Sequence, residues 1–546
     1  MSPAGFPHLK FGPLARALTY LLLLCSPAAW AQTPCGPIGV ANWCANQDSP
    51  GVDGGAEASD RFGAALAWGD FNGDGFDDLA VGIPGENNGA GFVDVFYSNG
   101  NTLTTNGQQL FSQDQTGGAD EGSENGDEFG AALASGDFNH DGFDDLAVGS
   151  PGEDLPELFA ANCTLFTCED AGAIHVIYGS ATGLQLASAQ FFGEAELDTE
   201  LPGRNEGARF GSSLASGDWN ANSVDDLAVG APQAGANTAG IIDSGAVYIG
   251  FGSSGGINSN ANGSRFFPAD AACDGDGGER LGTTLLSGHL TADNRAGLLA
   301  SGATCTLSGL SGTGTVFLST PGNTAPSLQY AQTQFSTAGN GANDHFGASL
   351  AAADFNADGL DDLAAGAPNK NHGAGNPNDS GRVYVAYSSA AGPDPANGPD
   401  IIGEDEWAGQ TPAANEHFGA ALAAGKITRD AFADLLMGAP GEGANGGFLF
   451  LKKGSATGLT TDGNQVISQG FLGGTTEAGD LFGSVLALGD VNGDGILEVA
   501  IGVPDKDVGT ATDAGMVYVT HYFDASFVFT DGFESGDTSA WTATVP

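Results

Sequence analysis

Basic residues are scarce in this sequence of 546 residues. Lysine and arginine together number 15, against 67 aspartates and glutamates, which gives a formal net charge of −52. A surface this acidic argues against partners such as nucleic acid or anionic lipid, because both require clustered positive charge. It favours metal cations instead, since bound cations offset part of the repulsion between carboxylates.

Long hydrophobic runs are missing beyond the N-terminus. The one apolar run, residues 17–25, follows two basic residues and precedes an Ala-x-Ala cleavage pattern at 29–31. We therefore interpret residues 1–31 as a secretory signal peptide, with a lipid on Cys25 as the weaker alternative. Because the run is too short to cross a bilayer, we expect no membrane span and a protein that is secreted, extracellular or at the cell surface.

Zinc-binding cysteine patterns are absent, since there is no C-x-x-C spacing and no Cys/His cluster. The six cysteines beyond the signal peptide instead form three sequence-local pairs. An even number of cysteines in an exported chain predicts disulfide bonds, and local pairing is the simplest arrangement. The pairs are Cys35/Cys44, Cys163/Cys168 and Cys273/Cys305.

A catalytic signature is also lacking. Residues 252–256 fit the G-x-S-x-G pattern of a nucleophile elbow. The same kind of turn recurs at 178–183 and 453–458, so we interpret it as part of a structural repeat. The histidines are scattered and form no H-E-x-x-H motif. We therefore expect that the protein is not an enzyme.

Glycine is abundant, with 89 residues, and a Phe-Gly dipeptide (Leu-Gly once) recurs along the chain. Successive copies stand roughly 70 residues apart, a spacing that can hold four strands and their loops. The seven copies begin at Phe62, Phe129, Phe210, Leu281, Phe346, Phe418 and Phe482. A lone sheet of this size cannot bury both of its faces, so seven repeats predict an all-β fold, a seven-bladed β-propeller of four-stranded blades.

Closure of the ring is predicted to use the N-terminus. Little fourth strand follows the last third strand, whereas residues 43–60 resemble the segment that precedes Phe129. We therefore predict that the propeller spans residues 32–523 and that its N-terminal strand completes the last blade. The tail, 524–546, contains Trp541 and is interpreted as a sorting element, an outer strand or a frayed end.

Four of the seven repeats contain an intact acidic loop. Side-chain oxygens at positions 1, 3, 5 and 9, a carbonyl at position 7 and a turn at Gly in position 6 suit calcium, so we expect about four Ca²⁺ ions. The predicted ligands are Asp70, Asn72, Asp74, the Phe76 carbonyl and Asp78; Asp137, Asn139, Asp141, the Phe143 carbonyl and Asp145; Asp354, Asn356, Asp358, the Leu360 carbonyl and Asp362; and Asp490, Asn492, Asp494, the Ile496 carbonyl and Glu498. Position 12, a glutamate in an EF-hand, is apolar here, which excludes that module. An acidic turn without metal is the alternative.

The other three loops have lost part of this pattern. The third repeat predicts a weak site and the fourth no ion, while in the sixth an ammonium group is hypothesised to take the place of the cation. The residues concerned are Asp218, Asn220, Asn222, Ser223 and Asp226; His289, Thr291, Asp293 and Gly297; and Lys426, Thr428, Asp430 and Asp434.

The stretch from Phe62 to Pro84 resembles the FG-GAP repeat of integrin α-subunit heads and of bacterial secreted proteins with the same repeat. The resemblance extends over roughly residues 40–523. It implies a seven-bladed propeller with calcium on the hairpin loops of one face and partners at the opposite face.

We therefore expect a secreted calcium-binding propeller for cell adhesion, which binds a protein or glycan ligand through inter-blade loops and uses calcium structurally. The long loops 153–170 and 233–244 are the candidates for ligand binding. The alternatives are a hydrolase that acts at the central channel and a structural surface-layer component.

Overall fold

The computed structural model describes residues 43–116, 122–156, 167–197, 206–235, 244–258, 264–266, 278–292, 295–319, 328–336, 339, 341–372 and 377–520. The predicted signal peptide and the tail with Trp541 lie outside these residues, as do Cys35, Cys163 and Cys273, so the disulfide pairings stay predictions. Within the described residues, no helix is both long and apolar enough to cross a membrane.

Strands dominate the described residues, where they form seven four-stranded antiparallel sheets and two short hairpins. The first strand in the chain is β1, Trp43–Ala45. Blade 1 contains β2 (Ala65–Gly69), β3 (Asp78–Ile83), β4 (Phe92–Ser98) and β5 (Leu103–Phe111). Blade 2 contains β6 (Ala132–Gly136), β7 (Asp145–Ser150), the hairpin strands β8 (Leu155–Pro156) and β9 (Thr167–Cys168), then β10 (Ala173–Tyr178) and β11 (Gln185–Phe192). Blade 3 contains β12 (Ser213–Gly217), β13 (Asp226–Ala231), β14 (Ala246–Gly250) and β15 (Ser264–Phe266).

The second half of the ring repeats this plan. Blade 4 contains β16 (Thr284–Gly288), β17 (Gly297–Gly302), β18 (Thr315–Ser319) and β19 (Leu328–Tyr330). Blade 5 contains β20 (Ser349–Ala353), β21 (Asp362–Ala367), β22 (Arg382–Ala386), the hairpin strands β23 (Ser388–Ser389) and β24 (Gly392–Pro393), then β25 (Asp400–Ile402). Blade 6 contains β26 (Ala421–Gly425), β27 (Asp434–Ala439), β28 (Phe448–Lys453) and β29 (Thr460–Ser468), and blade 7 contains β30 (Val485–Gly489), β31 (Glu498–Val503) and β32 (Met516–Thr520).

Helical structure in the described residues is limited to single turns. The short helices are α1 (Glu86–Gly89), α2 (Glu194–Leu197), α3 (Gln332–Phe335) and α4 (Glu442–Asn445). Three turns are 3₁₀ helices: Gln113–Gln115, Glu404–Glu406 and Gln469–Leu472. Both α1 and α4 contain residues in the left-handed region. These turns lie between strands, and three of them contribute a buried apolar side chain to the core: Leu197, Phe335 and Leu472.

The ring of blades is closed. The first strands of successive blades lie side by side, in the order β2, β6, β12, β16, β20, β26 and β30, and β30 in turn lies beside β2. In each blade the four strands pair in order from this inner ring outwards. This arrangement is a seven-bladed propeller, as the seven Phe-Gly copies predict.

The N-terminal strand completes the last blade. β1 pairs antiparallel with β32, with Trp43 opposite Val519 and Cys44 opposite Tyr518. The Trp43 ring also makes an edge contact with Phe96 of blade 1, at 4.9 Å between ring centroids. The prediction that the chain closes the ring with its own N-terminus is confirmed, and both ends of the propeller are joined in one sheet.

The core lies between neighbouring blades. Every residue of the second strand of each blade is buried, because both faces of that strand are covered by adjacent sheets. The aromatic residue of the Phe-Gly landmark is also buried, as at Phe62. At Gly82, in the Gly-x-Pro motif, an added Cβ would lie 2.0 Å from the Gly130 carbonyl oxygen of the next blade. Glycine is therefore required there for two backbones to approach.

The antiparallel order gives the ring two distinct faces. All hairpins between first and second strands lie on one face, which we call the hairpin face. The Phe-Gly landmarks, the ends of the second strands and the ends of the fourth strands lie on the other, which we call the junction face. The start and end of the long loop 153–170 belong to the junction face, where β8 and β9 form a hairpin. Most of the loop 233–244 lies outside the described residues.

Candidate functional site: the acidic hairpin loops

The four intact acidic loops connect the first and second strands of blades 1, 2, 5 and 7. In each loop the residue at position 9 is the first residue of the second strand and is buried, as Asp78 is in β3. The residue at position 1 is half-buried and the residue at position 5 is exposed, as Asp70 and Asp74 show. The side-chain oxygens of each loop therefore range from buried at position 9, through half-buried at position 1, to exposed at position 5.

The carboxylate at position 1 organises the turn. Asp70 accepts hydrogen bonds from the backbone N–H groups of Asp74 and Gly75, at 3.0 and 2.8 Å. The same pair of bonds is made by Asp137, Asp354 and Asp490. Positions 4 and 6 have positive φ in all four loops, for example 71° at Gly73 and 89° at Gly75. The glycine at position 6 is explained by this left-handed conformation.

The carboxylate at position 9 ties the loop to its blade. Asp145 accepts the N–H groups of Phe138 and Gly179, both at 2.9 Å, and so links the loop to the end of the third strand. Asp362 does the same with Phe355 and Ser388, at 3.1 and 2.7 Å. The position-9 side chain is thus part of the sheet as well as a predicted ligand.

Burial raises the pKa of every position-9 carboxyl. The pKa rises to about 8 at Asp78 and Asp145, and to about 7 at Asp362 and Glu498. Desolvation is the largest cause, and the neighbouring loop carboxylates add to it in each case. The buried carboxyl of each loop is therefore stabilised by positive charge, which a bound proton or a bound cation can supply.

The donor set fits a hard cation. Carboxylate and amide oxygens are the ligands that calcium prefers. In blade 2 the Oδ1 atom of Asn139, at position 3, is buried and receives no hydrogen bond. Its counterparts Asn72, Asn356 and Asn492 accept the N–H of position 5, at 2.8–3.0 Å. The carboxylates of a single loop do not all come within 4.8 Å of one another in the described residues. A bound ion would therefore draw side chains inwards, with Asn139 already free to receive it.

Blade 3 keeps the loop frame without the full set of acids. Asp218 accepts the N–H groups of Asn222 and Ser223, at 3.0 and 2.9 Å. Asp226 accepts those of Trp219 and Gly252, at 3.0 and 2.9 Å. The turn therefore forms with the carboxylates at positions 1 and 9 accepting backbone N–H groups, and the acid at position 5 of the intact loops is not needed for it.

Blades 4 and 6 depart further from the pattern. Lys426 is exposed and its ammonium group has no hydrogen bond or ion pair within the described part of the chain, so the hypothesis that it replaces a cation gains no support. Asp434 keeps its bonds from the N–H groups of Thr428 and Gly454, at 2.8 and 3.1 Å. In blade 4, Asp293 lies outside the described residues.

Sequence reasoning missed a residue that joins the hairpin loops of neighbouring blades at four junctions in the described residues. The aspartate at position 8 accepts the backbone N–H of position 1 in the preceding blade. Asp144 receives this bond from Asp70 at 2.9 Å, and Asp77 receives it from Asp490 at 2.7 Å, across the closure of the ring. Asp225 and Asp361 make the same contact with blades 2 and 4. The recurring Asp-Asp doublet was the available signal.

The nucleophile-elbow pattern forms a turn, as predicted. Ser253 follows β14, and its hydroxyl donates to the Gly256 carbonyl at 2.8 Å. The following residue, Ile257, donates its N–H to the Tyr178 hydroxyl of blade 2 at 3.2 Å. This segment therefore packs one blade against another and does not connect a strand to a helix.

Comparison with known proteins agrees with this architecture. The FG-GAP repeat model matches residues 62–96, 129–177, 210–249, 346–386 and 482–520. These segments belong to blades 1, 2, 3, 5 and 7, which include all four intact loops.

Two groups of curated relatives share part of the chain. Bovine phosphatidylinositol-glycan-specific phospholipase D is 34% identical over 174 residues, which are 31% of this chain and 18% of that protein. Integrin alpha pat-2 of Caenorhabditis briggsae is 31% identical over 241 residues, which are 43% of this chain and 17% of that protein. The chain thus matches less than a fifth of the length of either relative.

Among solved structures, the Dos1 propeller covers 86% of this chain at 12% identity, with a TM-score of 0.37 and 78% of its own chain covered. The fold assignment rests on the strand pairing described above. The chain is therefore a seven-bladed β-propeller that contains five matched FG-GAP repeats, and parts of it are similar to segments of integrin α-subunits and of phosphatidylinositol-glycan-specific phospholipase D.

Proposed function

We propose that this protein is an extracellular, calcium-binding propeller that mediates adhesion by binding a protein or glycan on its junction face. The observation that carries the proposal is the separation of the two faces. The intact acidic loops, joined by the position-8 aspartates, are all on the hairpin face. The described ends of the long inter-blade loops lie on the opposite face, and such loops are where partner-binding residues concentrate.

Calcium has a structural role in this proposal. Four ions, one for each intact loop, replace the protons that burial otherwise holds on the position-9 carboxyls. The ions fix the hairpins and, through the position-8 contacts, the spacing of neighbouring blades. The three predicted disulfides would stiffen the N-terminal strand and two junction-face loops in the extracellular medium.

The hairpin of β8 and β9 is the best candidate for the contact with a ligand. Glu153, at its base, is buried and accepts a hydrogen bond from the Gln113 amide at 2.6 Å. Beyond this anchor, Glu169 and Asp170 are exposed at the junction face. A rigid base with exposed polar residues above it suits recognition of a protein or glycan surface.

The test is a binding screen of the mature protein against arrays of extracellular-matrix proteins and glycans, in calcium and in chelator. We expect a calcium-dependent ligand, whose affinity falls about tenfold, or about 1.4 kcal/mol, in Glu169→Lys. Asp462→Lys makes the same charge reversal at an exposed residue near the start of β29, on the hairpin face and outside the acidic loops, and serves as the matched control. Binding that survives Glu169→Lys but is lost in Asp462→Lys would place the ligand on the wrong face. Failure to bind any member of either array would contradict the proposed function.

A further inference from the structure

On the junction face, a set of three polar side chains recurs between neighbouring blades. The net charge of this set differs from one blade to the next. The set combines three positions: the residue on the short turn after a fourth strand, the acid two residues before Phe-Gly, and the residue two positions after the Gly-x-Pro proline. We call this set the junction triad. Its members are Gln47, Asp60 and Glu86; Gln113, Asp127 and Glu153; Gln332, Asp344 and Lys370; Glu404, Glu416 and Glu442; and Gln469, Asp480 and Lys506.

The central acid has the same role in each triad. It accepts a backbone N–H from three residues upstream, as Asp344 does from Gly341 at 2.6 Å and Asp480 does from Glu477 at 2.8 Å. Glu416 makes the corresponding contact with the N–H of Ala413. The five triads are therefore equivalent sites, and their other two members can be compared directly.

In two triads a lysine supplies positive charge. The Lys370 ammonium group donates to Asp344 Oδ2 at 2.7 Å and to Gln332 Oε1 at 3.0 Å. The Lys506 ammonium group donates to Asp480 at 3.1 Å and to Glu477 at 2.7 Å. Both lysines are nearly buried, with side chains 13% and 7% exposed. The fold therefore places a cation at this point in blades 5 and 7.

In two further triads a glutamine supplies a hydrogen-bond donor. The amide of Gln47 donates to Glu86 at 2.5 Å, and that of Gln113 donates to Glu153 at 2.6 Å. Each of these triads thus contains two acids, one of which accepts a hydrogen bond from the glutamine amide. All four triads described so far include a side chain that can donate a hydrogen bond.

The blade 6 triad has no such donor. Its three members are glutamates, and one carboxylate oxygen from each lies within 4.8 Å of those of the other two. Glu404 is 1% exposed, and neither of its oxygens has a hydrogen-bond partner. One oxygen of Glu442 is also buried and without a hydrogen bond. Burying carboxylates in this way is costly unless positive charge is brought to them.

Two basic side chains beside the turn that contains Glu404 interact with other acids. Lys452 pairs with Glu406 and lies over the Trp407 ring, at 5.8 Å from its centroid. His372 faces Asp405 at 3.6 Å. Both acids, Asp405 and Glu406, are neighbours of Glu404 on the same 3₁₀ turn, and within the described ranges none of the three glutamates of the triad forms an ion pair.

We propose that Glu404, Glu416 and Glu442 bind a divalent, oxygen-preferring cation, which occupies the place that the lysine ammonium group takes in the triads of blades 5 and 7. Carboxylate oxygens alone, at this spacing, select calcium or manganese over softer metals. The site is on the junction face and shares no residue with the acidic loops, so it is an additional ion. It would clamp the outer end of blade 5 to the start of blade 6.

Two variants test the site with replacements that the protein already uses elsewhere. Glu442→Lys reproduces the lysine of blades 5 and 7, and Glu404→Gln reproduces the glutamine of the other triads. Native mass spectrometry of the mature protein with calcium should show one ion fewer per chain in each variant than in the wild type. Asp494→Ala, in the acidic loop of blade 7, is the control and should lose a different ion, so that its combination with Glu442→Lys loses two.

A second measurement locates the ion. Crystals of the full chain soaked in manganese should give an anomalous peak among the three carboxylates, and the peak should be absent in Glu404→Gln. An equal ion count in the wild type and both variants would overturn the proposal, because protons would then neutralise the cluster. A manganese peak confined to the hairpin face would overturn it as well. Neither result depends on whether the protein binds an adhesion partner.

Discussion

At the scale of single residues, the position-9 carboxylates combine two tasks that substitution can separate. Asp362 accepts two backbone N–H groups and belongs to an intact loop, whereas Asp226, in the incomplete loop of blade 3, accepts the two equivalent N–H groups and also that of Asn220. The two equivalent hydrogen bonds are alike, but an intact set of predicted ligands accompanies only the first carboxylate. Substituting each of these two aspartates therefore separates the stability that comes from the hydrogen bonds of the sheet from the stability that comes from a bound ion.

We expect Asp362→Ala and Asp226→Ala to lower the free energy of unfolding in chelator by similar amounts, roughly 1–3 kcal/mol for each N–H left unpaired. In calcium at 100 times the dissociation constant, Asp362→Ala should lose a further contribution of about 2.7 kcal/mol, because its ion is missing. Urea unfolding in calcium and in EDTA measures both quantities. If the two variants respond equally to calcium, the blade 5 loop binds no ion.

Asp94 makes stability depend on pH. It lies in β4, and neither of its oxygens has a hydrogen-bond partner. Burial, with a smaller effect of Asp53, raises its pKa from 3.8 to about 8. The unfolded chain releases this proton above its ordinary pKa while the folded chain retains it, so Asp94 destabilises the fold progressively as pH rises from 3.8 towards 8.

Asp94→Asn should remove that dependence. We expect the free energy of unfolding of the variant to exceed that of the wild type by a margin that grows with pH, at up to about 1.4 kcal/mol per pH unit. Asp53→Asn is the control and should retain most of the slope, since desolvation is the larger cause. Denaturant titrations in chelator between pH 4 and pH 8 provide the comparison. Parallel curves for the wild type and Asp94→Asn would show that Asp94 is charged in the folded protein.

At the scale of elements, β1 joins the two ends of the chain. It pairs with β32 and brings Trp43 against Phe96 of blade 1. Without it, blade 7 would retain three strands and expose the edge of β32. The blade interfaces share their buried residues, so damage to one blade should spread to its neighbours.

Removal of residues 32–45 should therefore lower the melting temperature of the whole propeller in a single transition, by at least roughly 5 °C. Trp43→Ala, which keeps the strand and loses only the ring contact, should produce a smaller decrease. Differential scanning calorimetry in saturating calcium measures both. A melting temperature unchanged by the truncation would show that β1 contributes nothing to closure.

Prediction from sequence succeeded where the information is local and repeated. Each Phe-Gly copy and each acidic loop is contained in one stretch of chain, so spacing alone gave the number of blades and the place of the acidic loops between first and second strands. The Asp-Asp contacts and the blade 6 triad were missed because their partners lie in different blades. With 67 acidic residues in the chain, no three glutamates stand out until the fold brings them together.

At the scale of the whole molecule, the closed ring places the intact acidic loops on the hairpin face, away from the junction face that is proposed to bind the ligand. The ion proposed for the blade 6 triad is the exception, since it would lie on the junction face. The neighbouring triads in blades 5 and 7 have lysines instead, so the junction face has different charges in adjacent blades. A ligand could be oriented by this asymmetry.

The count of calcium ions is the most direct test of the account. Glu442→Lys removes the triad site, so native mass spectrometry of this variant reports on the acidic loops alone. We predict four calcium ions, one for each of the loops 70–78, 137–145, 354–362 and 490–498, and a count of three when Asp362→Ala is added. Two ions or fewer, or seven, in Glu442→Lys would contradict the account, because the number of ions would then not follow the intact loops.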